Sequence, residues 1–279
     1  MEVISKTRAH GGTQGVYTHA STSTGTQMEF SVFVPDHPEG KKLPVVVYLS
    51  GLTCTQANVT EKGEFRAACA ELGLIFVAPD TSPRGEAVPD DSEGAYDFGL
   101  GAGFYVNATA APFDQHYKMR DYIEHELPTL IGEQFLADMD RLSIMGHSMG
   151  GHGALTIALR NSDTYRAVSA FAPIVSPLNC PWGHKALAGY LGTDQSTWAE
   201  YDACALIGRG ARVPDILVDQ GTADTFLEDQ LKPELLQQAC AKAGQPLTLR
   251  MQEGYDHSYN FISTFMREHL EWHANHLKR

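Results

Sequence analysis

Residues 141–160 read RLSIMGHSMGGHGALTIALR: five largely apolar residues lead into Gly146, and a run rich in Ala, Leu, Ile and Thr leads away from Gly151. That pattern predicts a strand, a tight turn and a helix, with Ser148 at the apex between Gly146 and Gly150 in the arrangement G-x-S-x-G. The glycines have a steric reason to be there. A serine held in a strained backbone at such a turn needs neighbours without side chains so that strand and helix can pass closely, and the strain exposes its hydroxyl at the carboxyl edge of a sheet. The plainer reading, a helix N-cap serine in a glycine-rich turn, does not need the flanking strand.

A serine hydroxyl is a weak nucleophile at neutral pH and needs a base oriented by a carboxylate, together with donors for the oxyanion. The rest of the chain is read for those parts. Residues 28–34 alternate as a strand, and 45–50, VVVYLS, are so uniformly apolar or β-branched that both faces must be covered, as in a central parallel sheet. Residues 61–72 are expected as a helix and 74–78 as another buried strand. Residues 81–111 form a long Gly/Pro/Asp-rich loop containing four aromatics, which favours a packed cover over a site. Helix is expected over 113–135 with a break at Pro128, strand over 166–171, short helices over 176–203, strand over 215–219, helix over 227–243, strand over 247–252 and helix over 258–276. The aromatics within 176–203, Trp182 among them, are expected to serve packing. The alternation predicts a mostly parallel central sheet with helices on both faces, in one domain over 1–279, and with the G-x-S-x-G turn at its centre the expected class is the α/β-hydrolase fold.

On this fold the acid and then the base follow the serine, each on a loop after a strand. Of the twelve histidines, His257 is the one after Ser148 that directly follows an expected strand, so it is taken as the base. The trio His269, His273 and His276 lies at helical spacing and is expected on a solvated face. For the acid, Asp219, Asp224, Glu228 and Asp229 compete. Asp224, in the turn, is preferred; Asp219, at the strand end, is the runner-up with a structural hydrogen bond as its other role. Glu228 and Asp229 suit the first turn of the next helix, where the helix dipole favours carboxylates. The oxyanion donors are expected to be the backbone N–H groups of Met149 and of Leu52, which follows Gly51. Cys54 lies close to that loop, either as an inert buried thiol or as a modifiable group near the acyl site.

Composition narrows the function classes. With 34 acidic and 21 basic residues the formal charge is −13, which argues against nucleic acid or an anionic membrane as partner. The five cysteines, Cys54, Cys69, Cys180, Cys204 and Cys240, show no C-x-x-C spacing, and H-E-x-x-H is absent, so neither a disulfide scaffold nor a metal site is expected. The first residues carry charges and no apolar core of a leader, and no run is long enough to span a bilayer, so a cytoplasmic protein is expected.

Five blocks carry a resemblance: LSGLTC at 49–54, APDTSPRGE at 78–86, IMGHSMGGHGAL at 144–155, DQGTADTFL at 219–227 and GYDHSYNFI at 254–262. In this order they resemble the S-formylglutathione hydrolases of the esterase D family, from the first strands to the last helix. The resemblance implies a thioester hydrolase of formaldehyde detoxification that releases glutathione and formate, with side activity on short-chain aryl esters. It implies the triad Ser148, Asp224 and His257, no cofactor, and a homodimer or larger homo-oligomer. A general short-chain carboxylesterase with the same triad, an acyltransferase and a non-catalytic binding module are the other readings.

Overall fold

The computed structural model describes residues 1–278 of the 279. Nine strands form one sheet in the order β1-β2-β3-β5-β4-β6-β7-β8-β9. Strands β1 (Glu2–Ala9), β2 (Gly12–Ala20) and β3 (Gln27–Pro35) run antiparallel, and β3 also meets β5 (Ile75–Pro79) antiparallel. Every pairing beyond that is parallel: β5 with β4 (Leu43–Leu49), β4 with β6 (Ala137–His147), then β7 (Tyr165–Phe171), β8 (Ile216–Gly221) and β9 (Leu247–Gln252). Strand β4 is buried at every position, as its unbroken apolar run requires for a strand covered on both faces.

Helices α1 (Gln56–Lys62), α2 (Arg66–Leu72) and α9 (Tyr259–Leu277) lie together on one face. On the other, α5 (Met149–Arg160) packs on β4, β6 and β7, with α7 (Ala203–Gly208) and α8 (Pro233–Ala243) beyond it. The chain steps from β4 to β5 in one direction and from β6 to β7 in the other. Right-handed crossovers in opposite directions place their helices on opposite faces and open a crevice between the carboxyl ends of β4 and β6.

Several expected elements differ in detail. The helix expected over 61–72 is two helices: α1 begins after Thr55, whose side chain caps it together with Asn58, and ends at Gly63, where a Cβ would lie 2.7 Å from the Val59 carbonyl oxygen. The break at Pro128 is a widening. A short α3 (Met119–Asp121) passes through a π-helical turn, Tyr122–Glu126, into α4 (Leu127–Gln134), so that Pro128 and its missing N–H fall directly after the widened turn. The helix expected over 227–243 is likewise split, a π-helical turn at Leu227–Leu231 preceding Pro233 at the start of α8. The hairpin β1–β2 was not expected. It turns through His10 and Gly11, both at positive φ (47° and 70°), but β1 is exposed almost throughout and so lacks the alternation that marks a strand in sequence.

The terminal histidines correct the expectation of a solvated face. Phe261, Ile262, Met266, His269, Leu270, His273 and Leu277 form the buried stripe of α9, and His269 and His273 are fully buried within it. A chain of hydrogen bonds meets their polarity except at His273 Nδ1, which has no partner among the described residues. Asp219 can only accept from His269 Nε2 (3.2 Å), so His269 Nδ1 accepts from the Ser169 hydroxyl (2.9 Å), which in turn accepts from His273 Nε2 (2.8 Å).

Burial holds three histidines uncharged: it pushes His147 and His273 well below the ordinary range, and His152 down to about 4. In the unfolded chain each takes up a proton near pH 6.5. Below that pH the unfolded state binds more protons than the native one, so stability falls as pH falls, by on the order of 1 kcal/mol per histidine per pH unit. Urea denaturation at pH 7.5 and at 5.5 should show a clearly lower midpoint at 5.5. An unchanged or higher midpoint would contradict the neutral buried state.

Candidate active site

The turn between β6 and α5 holds Ser148 at φ 57°, ψ −119°, a region that non-glycine residues rarely occupy. Backbone bonds fix it there: Ser148 N–H donates to the Phe171 carbonyl (2.9 Å), and the Ser148 carbonyl accepts from His152 (3.0 Å) and Ile174 (3.2 Å). The flanking glycines are obligatory. A Cβ on Gly146 would lie 2.2 Å from the Gly150 carbonyl oxygen, and one on Gly150 would lie 1.9 Å from that of Leu49. Helix α5 therefore starts against the end of β4, and the loop following β4 reaches the serine, with Gly51 so close that its Cβ would stand 3.0 Å from that of Ser148.

The loops after β8 and β9 meet in the same crevice. Gly221 allows this, since a Cβ there would lie 2.2 Å from the Tyr255 carbonyl oxygen, and Ala223 N–H donates to that carbonyl at 2.9 Å. Asp224 is buried on the first loop and accepts through Oδ1 from Phe226 N–H (2.9 Å) and through Oδ2 from the Gln220 amide (3.2 Å). Its Oδ2 also lies 2.5 Å from His257 Nδ1. A carboxylate only accepts, so Nδ1 carries the hydrogen and His257 Nε2 keeps a free lone pair. The His257 ring lies between His147 (centroids 4.4 Å apart) and Phe226 (5.1 Å).

Ser148 and His257 line one open cavity of about 180 Å³, although no hydrogen bond joins their side chains. Leu52, Cys54, Tyr96, Trp182 and Phe226 form much of its wall, and no Asp, Glu, Lys or Arg lines it among the described residues. Neither Leu52 N–H nor Met149 N–H has a protein acceptor among the described residues, while the next amide, Thr53 N–H, is taken by the Gly101 carbonyl (2.9 Å). Cys54 is 9% exposed, and burial raises its thiol above the ordinary value, which disfavours the reactive thiolate.

Asp219 is fully buried and committed elsewhere. Arg250 donates to both its oxygens at 2.5 Å, and Gln252 (3.3 Å) and His269 (3.2 Å) add to the set. Burial alone would raise its pKa, but the bonds from His269 and Arg250 outweigh it and hold the carboxyl below its usual value. Glu228 and Asp229 sit exposed in the π-helical turn Leu227–Leu231. Among the described residues one group of His, Asp and Glu ligand atoms lies close enough together for a metal, at Asp121, Glu124 and His125, none of which lines this cavity.

Sequence reading missed His147 and Phe226, expected the 81–111 loop as a cover without singling out Tyr96 among its four aromatics, and assigned Trp182 to packing. Trp182 does pack, against Phe226 (4.7 Å) and Tyr96 (6.4 Å), and by doing so it walls the cavity. His147 could have been found from its place inside the G-x-S-x-G pattern, and Phe226 from its position two residues after Asp224. Tyr96 carried no comparable signal.

The model of the esterase family, described as "Putative esterase", matches residues 21–272. An S-formylglutathione hydrolase of Paracoccus denitrificans is 49% identical over 276 residues, covering 99% of this chain and 98% of the relative. One of Mus musculus is 48% identical over 280 residues, with 99% of each chain covered. The solved structure of an S-formylglutathione hydrolase from Agrobacterium tumefaciens superimposes with a TM-score of 0.98 at 54% identity, covering 99% of this chain and 100% of that one.

Proposed function

The chain belongs to the S-formylglutathione hydrolase family of esterases, and from that membership we propose that its reaction is hydrolysis of S-formylglutathione to glutathione and formate through a formyl-serine intermediate at Ser148. The observation that carries the mechanism is the Asp224–His257 hydrogen bond of 2.5 Å, which leaves Nε2 as the proton acceptor in the cavity that Ser148 lines. His257 takes the Ser148 proton as Oγ bonds to the formyl carbon. The oxyanion accepts from Leu52 and Met149 N–H, neither of which has a protein acceptor among the described residues. The carbon–sulfur bond then breaks and glutathione leaves as a thiolate, which needs less help from an acid than an amine would; the proton on His257 Nε2 passes to that thiolate or to solvent, and the imidazole is neutral again. Water attacks the formyl-enzyme, giving its proton to His257; formate leaves and Ser148 recovers its hydrogen.

No cofactor enters this sequence. No helix among the described residues is long and apolar enough to cross a membrane. We place the enzyme in the cytoplasm, as one domain over 1–279 in a homodimer or larger homo-oligomer, which sedimentation at micromolar concentration would test. Cys54 belongs in this reading as an inert wall of the acyl site.

Loss of thioester absorbance with S-formylglutathione, run beside a butyryl aryl ester, tests the substrate. A pocket matched to formyl should favour it in kcat/KM by about 100-fold or more over the longer acyl group. A preference for the butyryl ester would make the chain a general short-chain carboxylesterase instead.

A further inference from the structure

The two oxyanion donors come from different elements, Leu52 from the loop after β4 and Met149 from the start of α5, and their separation must be set by something that touches both. Residues 101–105 do so. On the side of the β4 loop, the Gly101 carbonyl accepts from Thr53 N–H at 2.9 Å, and the Tyr105 hydroxyl donates to the Ser50 carbonyl at 2.9 Å. On the side of α5, Phe104 N–H donates to Met149 Sδ at 3.4 Å, and the Phe104 carbonyl accepts from His152 Nε2 at 2.9 Å. The Tyr105 ring itself lies against α5: a Cβ on Gly153 would stand 2.5 Å from its Cδ2.

Phe104 and Tyr105 are consecutive non-glycine residues at φ 46° and 49°. Strain of this kind persists only where surrounding contacts over-determine it, and it concentrates where geometry serves function. Both side chains are fully buried, and burial raises the Tyr105 phenol well above its ordinary value, so it remains a hydrogen-bond donor across the working range.

We propose that the strained segment 101–105 is a clamp that holds the Leu52 and Met149 amides at the spacing an oxyanion requires, with Tyr105 as the positioning residue that joins the two elements. Tyr105 lines no part of the cavity and touches no reacting atom. It acts through the Ser50 carbonyl, two residues before Leu52, and through Gly153, four residues after Met149. The proposal rests on the oxyanion assignment made above.

Tyr105→Phe keeps the ring and deletes the bond to Ser50. Hydrolysis of S-formylglutathione and of p-nitrophenyl acetate should each lose about tenfold or more in kcat, with KM within about twofold, because a misplaced donor affects the charged transition state and not substrate binding. The same factor should appear in the affinity for phenylboronic acid, which bonds to Ser148 Oγ and presents a tetrahedral oxygen to the same amides. His152→Leu, which removes the donor to Phe104, should repeat the pattern. Tyr165→Phe serves as the control: it deletes a buried hydroxyl 3.5 Å from the Ile123 carbonyl, remote from the cavity, and should lower stability without changing boronate affinity. Clamp variants that lose stability while kcat and boronate affinity stay within twofold of wild type would overturn the proposal. A wild type that cleaves the aryl ester but not S-formylglutathione would overturn the substrate and leave the clamp standing.

Discussion

Ser148→Ala should lower kcat for S-formylglutathione by at least about 10⁴-fold while leaving the protein folded. The size follows from the role: without the hydroxyl no acyl-enzyme forms, and what remains is the small rate enhancement of the oxyanion donors acting on bound substrate with water. The intact fold follows from the elbow. Its backbone bonds, from Ser148 N–H to Phe171 and from His152 and Ile174 to the Ser148 carbonyl, do not involve the side chain. Alanine also meets the same steric cost at φ 57° as serine does, so the strain is unchanged. Thermal unfolding should therefore shift by no more than a degree or two, and the variant should fail to label with a fluorophosphonate. A folded variant retaining activity within tenfold of wild type would remove Ser148 as the nucleophile, and with it the reading of the whole crevice.

The elbow was legible because its requirement is steric and local. Two glycines whose missing side chains let β4, β6 and α5 touch leave a five-residue trace in sequence. The parallel strands were legible because burial on both faces forces apolar runs, as in β4. What escaped was set by tertiary neighbours. His269 and His273 read as surface residues because histidine is usually partly exposed, yet a hydroxyl at Ser169 and a carboxylate at Asp219 supply the partners that let them occupy the buried stripe of α9. The exposed strand β1 carries no burial pattern at all. The aromatic wall was legible only in part: the loop carrying Tyr96 reads as a cover, but Tyr96, Trp182 and Phe226 lie on separate loops and helices, and nothing local in any of them indicates that they converge.

Asp219 within β8 and Asp224 just after it supply the sharpest separation between catalytic and structural roles. Asp224→Asn should cost kcat about 10³–10⁴-fold with little change in stability. The amide can no longer accept from His257 Nδ1–H as a charged group, so the imidazole loses the tautomer that points its lone pair into the cavity, and the imidazolium formed on proton transfer loses its counter-charge. Phe226 N–H can still donate to an amide oxygen at the Oδ1 position, which keeps the loop in place, while the Gln220 amide loses its acceptor at Oδ2. Asp219→Asn should do the reverse. It leaves Arg250 facing a neutral group, and one amide oxygen cannot serve both positions at which Arg250, Gln252 and His269 donate, so the chain through Ser169 and His273 loses its charged anchor. Arg250 is about one-third exposed and can turn toward water or Glu268, so the loss is expected near 3 kcal/mol, below the upper range for a wholly buried pair. In a chain of this size that amounts to several degrees in Tm, while kcat per folded molecule stays within about tenfold of wild type. Active-site titration with a fluorophosphonate beside calorimetry resolves the two quantities. If Asp219→Asn were the variant that lost turnover with an unchanged Tm, the carboxylate at the end of β8 would be the acid, and the short Asp224–His257 contact would belong to the architecture of the two loops.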